Sequence, residues 1–350
     1  MIVVTGGAGF IGSNLIAELN SRGETDILLV DDLSDVSKIR NINDLTVADY
    51  LDKDDFIEKL ESAALAKNLS YVFHLGACSD TMVADGRFVM SVNFEYSKRL
   101  LMALESVGCP LVYASSASVY GLDGPFIESA EDCRPLNAYA YSKTLFDHFA
   151  WRVKKNRSSQ LVGLRYFNVY GPRESHKGRM ASVVWHLTHQ YFEKKTIGLF
   201  EGTGRFSNGE QRRDFVHVND AIRANLFFYD NRNVDGIYNV GTGTSQSFND
   251  VAIAVINACR ALDGESSLSL KEAVKEKFLT YFPMATELNG KYQSFTEAEM
   301  TKIRSAGFNS EPIPVAEGVR DYASLIYQDL KTPTAEMLNQ KTERSVDDLT

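Results

Sequence analysis

Ile2-Val3-Val4-Thr5-Gly6-Gly7-Ala8-Gly9-Phe10-Ile11-Gly12-Ser13-Asn14-Leu15 stands at the head of the chain and decides its architecture. The apolar run Met1-Val4 reads as a strand. From Phe10 to Ser21, Ile11, Leu15, Ile16 and Leu19 fall on one helical face, and a second apolar run follows at Ile27-Val30. Between strand and helix the glycines remove side chains where backbone N–H groups at a helix N-terminus can approach a pyrophosphate. Gly6, Gly9, Phe10, Ile11 and Gly12 are therefore candidate dinucleotide contacts. A glycine spacing alone could be a tight turn, but the strand before it, the helix after it and Asp31 at the end of the second run favour the dinucleotide site.

The alternation continues outward. A helix is expected near Lys53 to Ala66, a strand at Tyr71-His74, a long helix from about Val89 to Ser106 and a strand at Leu111-Ala114. A helix from about Tyr139 to Lys154 and a strand at Leu161-Arg165 follow. This pattern predicts an α/β fold, a Rossmann-type doubly wound parallel sheet with a smaller, discontinuous α/β substrate domain. Beyond Tyr170 a loop from Gly171 to Met180, a helix near Ala181 to Glu193 and a loop from Glu201 to Arg213 are expected, with Asp214-Val218 and Gly236-Val240 returning to the sheet. Residues 1–170 and about 214–250 would form the cofactor domain, and about 171–213 and 251–330 the substrate domain. The segment 331–350 has few apolar residues and is expected to be a flexible tail.

Composition narrows the partners. In 350 residues, 37 Lys and Arg against 46 Asp and Glu leave a net charge of −9, which argues against a nucleic-acid or anionic-membrane partner. Cys78, Cys109, Cys133 and Cys259 contain no CxxC pair, so neither a zinc module nor a disulfide framework is expected and a reducing compartment fits. No apolar stretch approaches the roughly 18 residues of a membrane span, and no basic leader precedes Ile2, so a cytoplasmic protein is expected. His186 and His189 lack a third ligand, and no metal is assigned.

Asp31 and Asp32 favour ribose hydroxyls and hence NAD, because a carboxylate repels a 2'-phosphate. Lys38, Arg40 and Lys53 follow at positions that could surround that phosphate, or they are solvated surface cations. Gly76-Ala77-Cys78-Ser79, with Leu75 before them, either line the cofactor or make a turn. Cys78 reads as a small packed residue rather than a nucleophile.

Tyr139-Ala140-Tyr141-Ser142-Lys143 places Tyr139 and Lys143 at i and i+4 on one helical face, where an ammonium favours the phenolate of a group with an ordinary pKa of about 10. Tyr191/Lys195 and Tyr327/Lys331 share the spacing. Only Tyr139 follows a strand running into Ala114-Ser115-Ser116-Ala117-Ser118-Val119-Tyr120-Gly121, which brings a serine to the carboxyl edge of the sheet. The other two are expected to be surface pairs.

The glycine fingerprint, Ser-Ser-x-x-Val-Tyr-Gly and YxxxK together resemble the extended short-chain dehydrogenase/reductase family over roughly residues 1 to 330. The resemblance implies a nicotinamide cofactor and a sugar-nucleotide substrate, with Tyr139 as acid/base, Ser116 hydrogen-bonding the reacting oxygen and Lys143 gripping the ribose. Asn93 matches a family position beside this site.

Where 4,6-dehydratases of the family carry an Asp-Glu pair, this chain has Ala117-Ser118, which removes the elimination machinery and leaves epimerisation or simple redox. The stretch from Arg165 through Asn168, Val169 and Gly171-Pro172-Arg173-Glu174-Ser175-His176-Lys177-Gly178 resembles the branch of the family that epimerises an ADP-linked heptose at C6''. Met180-Ala181-Ser182-Val183, Phe200-Glu201-Gly202, Arg213-Asp214-Phe215-Val216 and Gly290-Lys291-Tyr292-Gln293 match it too. This narrower resemblance implies Lys177 as a second acid/base that also touches the cofactor, and Val169 as a cofactor contact. It implies Ser116, Asn168, Arg179, His186, Phe200, Glu201, Gly202, Thr203, Arg213 and Tyr292 as substrate contacts. It places Lys38 and Lys53 on a 2'-phosphate, implying tightly held NADP, one per subunit, with NAD left open. A homo-oligomer is expected.

Bland readings stand beside these. Lys177 could be a solvated loop cation, His186 a satisfied interior histidine, Tyr292 a packing aromatic and Arg213 half of a structural ion pair. Three departures bear on specificity: Arg179 stands where the branch has a small serine, Leu75 replaces an acidic residue, and the loop Thr203 to Arg212 is longer. The competing functions are a UDP-sugar 4-epimerase and a catalytically silent dinucleotide-binding regulator.

Overall fold

The computed structural model describes residues 1–65, 68–122, 124–155, 158–284 and 292–332. Its centre is a seven-stranded sheet built from β1 (Ile2–Thr5), β2 (Ile27–Asp31), β3 (Asp49–Asp52), β4 (Tyr71–His74), β5 (Leu111–Ser116), β6 (Leu161–Tyr166) and β7 (Gly236–Val240). The strand order is β7-β6-β5-β4-β1-β2-β3 and every pairing is parallel. Helices cover both faces, so β1, β2, β4 and β6 are buried along their whole length, and this is why their sequences read as continuous apolar runs rather than alternating ones. The expected Rossmann-type sheet is therefore present.

On one face, helices Phe10–Ser21 and Val218–Asp230 pack Leu15, Ile16, Leu19, Ala221 and Ile222 against Val4, Leu29 and Phe73. On the other, Lys53–Glu61, Tyr96–Val107 and Ala138–Lys154 contribute Phe56, Leu60, Leu100, Leu104 and Phe146 to a second layer with Val3, Leu28 and Val72. A separate core lies under helices Val183–Lys194, Phe248–Leu262 and Val315–Lys331, where Val184, Leu187, Val255, Val319 and Ile326 meet. Strand Leu279–Phe282 pairs in parallel with Ile197–Phe200 beside it. Met300 and Ile303, far along the chain, join the first core.

Some local expectations are corrected. β3 is an unforeseen edge strand whose Asp49 and Tyr50 are exposed, so no apolar run announces it. The helix expected from Lys53 to Ala66 ends at Glu61, and Ala66 lies outside the described residues. The strand expected at Asp214-Val218 forms as Phe215–His217, but pairs with Asn168–Tyr170 instead of returning to the large sheet. Arg212–Arg213, assigned to a loop, pairs antiparallel with Gln246–Ser247. Gly290 and Lys291 of the quoted motif, and the tail from residue 333 onward, lie outside the described residues.

Candidate active site

Connections from β1 lead to β2 on one side while β4 lies on the other, so the chain reverses its direction of travel across the sheet at β1, where ligands of open α/β sheets bind. The loop from Gly6 to Gly12 crosses this point. Gly6 has φ +69°, and a Cβ there would lie 2.6 Å from the Gly76 nitrogen; a Cβ on Gly12 would overlap the Gly6 carbonyl oxygen. No side chain caps the helix that starts at Phe10, so its first N–H groups remain available to an anion. This backbone cradle fits a dinucleotide pyrophosphate.

Ala8, at the loop's tip, is gripped from both sides. Its N–H donates to Asp31 Oδ2 at 2.8 Å, and its carbonyl accepts from Asn41 Nδ2 at 3.0 Å. Asp31 Oδ1 accepts from Lys38 Nζ at 2.9 Å and from the Asp32 N–H at 2.7 Å. The Asp31 carboxylate thus holds the loop and Lys38 as well as facing the cleft. Asp32 accepts from the Ser34 N–H, an interaction that with the Ser34 hydroxyl lowers its pKa, and lies 3.7 Å from Lys53. Lys53 pairs with Asp54 at 2.8 Å. Neither lysine is a free surface cation.

A cleft of about 470 Å³ is lined by this loop's Gly6, Gly9, Phe10, Ile11 and Gly12, by Asp31, Lys38, Leu75, Gly76, Ala77, Cys78 and Ser79, and by Ser116, Tyr139, Lys143, Val169 and Lys177. A second hollow of about 510 Å³ shares Asp31, Lys38, Gly76, Ala77 and Cys78, and adds Asp32 and Lys53. Asn93 lines neither. Its buried amide accepts from Cys78 N–H at 2.8 Å and donates to the Cys78 carbonyl at 3.0 Å and to Ser142 Oγ at 3.1 Å, bracing the Leu75–Ser79 loop from behind. It sits where a helix running from Gly86 to Val107 widens into a π-type turn at Met90–Glu95.

β5 delivers Ser115 and Ser116. Ser116 Oγ accepts from the Ser118 N–H at 3.2 Å and from Ser118 Oγ at 2.9 Å. Tyr139 and Lys143 project from the helix capped by Asn137, which accepts from the Ala140 N–H at 2.8 Å. Lys143 Nζ donates to the Ala114 carbonyl at 2.9 Å and lies 6.0 Å from the centre of the Tyr139 ring. Burial pulls Lys143 down to about 8, with Asp147 opposing. Burial also pushes the Tyr139 phenol above its ordinary pKa, with Ser116 acting in the opposite direction. In the protein alone burial is the largest influence on the phenol, so its shift is upward rather than the lowering expected from Lys143. The two other YxxxK pairs are not surface pairs: the rings of Tyr191 and Tyr327 are buried in the second core, while Lys195 pairs with Asp263 at 2.9 Å, the Tyr327 hydroxyl donates to it at 2.7 Å, and Lys331 joins them.

Lys177 lies in a short 3-10 helix, Ser175–Met180. Its Nζ sits 5.3 Å from the centre of the Phe10 ring and makes no hydrogen bond among the described residues, while burial lowers its pKa against the pull of Glu174. Glu174 is itself buried and accepts from the Ser182 N–H and Oγ at 2.6 Å each, fixing the loop's root.

Arg213 is 7% exposed, yet no carboxylate pairs with it among the described residues. Its Nη1 donates to the Arg212 carbonyl at 3.2 Å, and its guanidinium lies 5.1 Å from the Tyr292 ring and 5.9 Å from the Phe248 ring. The structural ion pair considered for it is not there. Phe200 meets Tyr292 edge to face at 5.7 Å, so these three expected substrate contacts cluster. Thr203 Oγ1 is 3.4 Å from Ser294 Oγ, and the Gly202 N–H donates to Asn208, while Glu201 and Asn168 are exposed. His186 is half-exposed, 3.3 Å from the Arg179 carbonyl, so it is no interior histidine. Arg179, 66% exposed, pairs with Asp80 at 2.6 Å across the mouth of the cleft. Asp35, Asp80, Tyr166, Phe167, His176 and Met180 also line the cleft and were not singled out from sequence. His176 stood inside a quoted motif, but its part depends on a contact with Asn41, 135 residues away. Among the described residues, no group of three or more His, Cys, Asp or Glu could hold a metal ion, and no helix is long and apolar enough to cross a membrane.

The model for the family described as "NAD dependent epimerase/dehydratase family" matches residues 2–241. An ADP-L-glycero-D-manno-heptose-6-epimerase from Thiobacillus denitrificans is 49% identical over 326 residues, covering 93% of this chain and 98% of that protein. The solved ADP-L-glycero-D-manno-heptose-6-epimerase of Helicobacter pylori superposes with a TM-score of 0.75 at 28% identity, over 93% of this chain and 96% of that one. A Thermus thermophilus UDP-glucose 4-epimerase in complex with NAD gives 0.73 at 26% identity, over 93% and 98%.

Proposed function

The chain belongs to the NAD dependent epimerase/dehydratase family, and from that premise we propose that it converts ADP-D-glycero-D-manno-heptose to ADP-L-glycero-D-manno-heptose for the lipopolysaccharide core. The observation that carries this reading is that one cleft, ending at the glycine-rich loop, is lined by two separate proton-transfer groups, Tyr139 and Lys177. One base suffices to oxidise an alcohol from one face. Inverting C6'' requires hydride to return to the other face of the ketone after rotation about C5–C6, its oxygen taking a proton in a new place, and a second group serves that position.

The nicotinamide supplies the acceptor and later the donor of the hydride. The protein's own residues do the rest: Ser116 orients the reacting oxygen, Tyr139 exchanges its proton on one side, Lys177 on the other, and Lys143 holds the ribose. Because the cofactor is regenerated in each cycle, it remains bound, one per subunit. A C4 epimerase would use the same cofactor cleft but gives Lys177 no task, and a silent regulator gives none to Ser116, Tyr139 or Lys143. Incubating the full chain with the ADP-heptose and following the C6'' proton by NMR tests the reading; no epimer formed with cofactor bound would overturn it.

NADP is the preferred dinucleotide, supported by Lys38 and Lys53 beside the second hollow. Replacing both by Ala should weaken NADP by about tenfold or more beyond any loss for NAD, since hydrogen bonds to charged groups contribute roughly 1.5 to 3 kcal/mol each. Equal losses in calorimetry would return them to a purely structural role around Asp31 and Asp54.

Arg213 is the diphosphate anchor. A buried guanidinium without a counter-ion is costly, and phosphate oxygens match its planar fork. Arg213→Gln should raise KM for the sugar nucleotide about ten- to a hundredfold while the melting temperature stays level or rises. A falling melting temperature with unchanged KM would make Arg213 a structural residue.

Exposed Met102, Tyr141 and Trp151, on two adjacent helices, support a homo-oligomer. The cytoplasm is the compartment that fits four free thiols and a dinucleotide cofactor. The separate cores support assigning residues 1–170 and about 214–250 to cofactor binding and about 171–213 and 251–330 to the substrate, except that Ala298, Met300 and Ile303 pack in the first core and Tyr170 and Phe215 in the second.

A further inference from the structure

His176 lines the cleft with Gly9, Phe10, Asp35 and Lys38, and the reaction proposed above gives it no task. Its Nδ1 is 3.0 Å from Asn41 Nδ2. Asn41 is 2% exposed, and the same Nδ2 donates to the Ala8 carbonyl at 3.0 Å. That second bond settles which way the amide is turned, because the opposite orientation would set two acceptor oxygens against each other. Nδ2 can only donate, so His176 Nδ1 must accept, and the imidazole carries its proton on Nε2. Burial, with Lys38 and Lys177 nearby, favours this neutral form, while Asp35 and Asp31 act weakly the other way. The Nε2–H has no acceptor among the described residues.

The arrangement is held from outside. Arg173 Nη1 donates to the Asn41 carbonyl at 2.5 Å, and its guanidinium forks onto Asp44 at 2.8 and 2.6 Å, tying the segment that carries Asn41 to the loop that carries His176.

We propose that His176 is a binding residue for the dinucleotide, donating Nε2–H to one of its phosphate oxygens, with Asn41 as the positioning residue that selects the tautomer. The proposal rests on the reading of the cleft as an NAD(P) site. It makes the tip of the glycine-rich loop, the donor and the root of the Lys177 loop one connected unit, so that seating the phosphates also sets Lys177.

Dissociation constants for NADP and NAD, measured by calorimetry on the full chain freed of copurified dinucleotide, test it. His176→Phe should weaken binding about ten- to a hundredfold, the range for a hydrogen bond to a charged group, and His176→Gln, which keeps an N–H, should recover most of the loss. Equal losses for the two cofactors place the acceptor on the shared pyrophosphate; a larger loss for NADP places it on the 2'-phosphate. Either supports the proposal. Nitrogen NMR on the wild-type protein should show His176 as a neutral Nε2–H tautomer whose Nε2 signal moves on adding NADP, which needs no variant to fold. A His176→Phe protein binding both cofactors within twofold of wild type, an Nδ1–H tautomer, or an unmoved Nε2 signal on saturation overturns it. If the wild-type chain binds neither cofactor, the dinucleotide reading itself has failed.

Discussion

Tyr139→Phe should reduce epimerisation about 100- to 10,000-fold, the span over which general acid-base groups act, with the fold and the bound cofactor intact. The substitution removes a single hydroxyl from a half-buried ring and leaves the ring's packing in place. The Lys143 bond to the Ala114 carbonyl does not involve the phenol. A small effect is hard to reconcile with the site, because Ser116, a plain alcohol in the same cleft, is not a titratable group that could replace the phenol. The check is a pair of measurements: turnover of the ADP-heptose and cofactor retained after gel filtration. Turnover within threefold of wild type would remove Tyr139 from its place as principal base, and loss of cofactor would show that the phenol holds the dinucleotide.

Lys177→Met should lower epimerisation by about 100-fold or more while substrate binding falls only modestly. Methionine keeps most of the aliphatic stem and gives up the ammonium, whose Nζ lies 5.3 Å from the centre of the Phe10 ring. Burial already lowers the pKa of Lys177, which eases the exchange of a proton at neutral pH. The distinguishing experiment uses a seven-carbon aldehyde analogue of the keto intermediate, which needs one protonation for each reduction. The two single variants should each lose reduction of a different face. If Lys177→Met epimerises the ADP-heptose near the wild-type rate, a one-base scheme through Tyr139 replaces the two-base one.

How much of this could be read from residues alone depended on the distance over which the evidence acts. The sheet was legible because parallel strands buried on both faces leave unbroken apolar runs, as Ile27-Leu28-Leu29-Val30 does. β3 was not, because an edge strand consisting of Asp49-Tyr50-Leu51-Asp52 carries no such run. The glycine loop, Ser116 and the Tyr139/Lys143 pair are local signals, and the fold brings them into one cleft. What stayed hidden was pairing at long range. Asp31 holding Ala8, Asn41 reaching His176, and Arg213 buried with no carboxylate paired to it among the described residues are facts about the folded chain rather than about local sequence. Helical spacing likewise places Lys143 on the right face but says nothing of the burial that raises the Tyr139 phenol.

The separate core under Val183–Lys194, Phe248–Leu262 and Val315–Lys331 has a consequence for biosynthesis. Everything that pairs in the large sheet has been translated once residue 240 has left the ribosome, whereas Val319, Tyr322 and Ile326 come far later. At roughly 5 to 20 residues per second, the apolar faces of the two earlier helices therefore wait for several seconds without their cover. During that interval the nascent chain is a substrate for holdase chaperones and for proteases, and a stop codon placed just before residue 315 would leave the sheet and its glycine loop complete yet yield a product that aggregates.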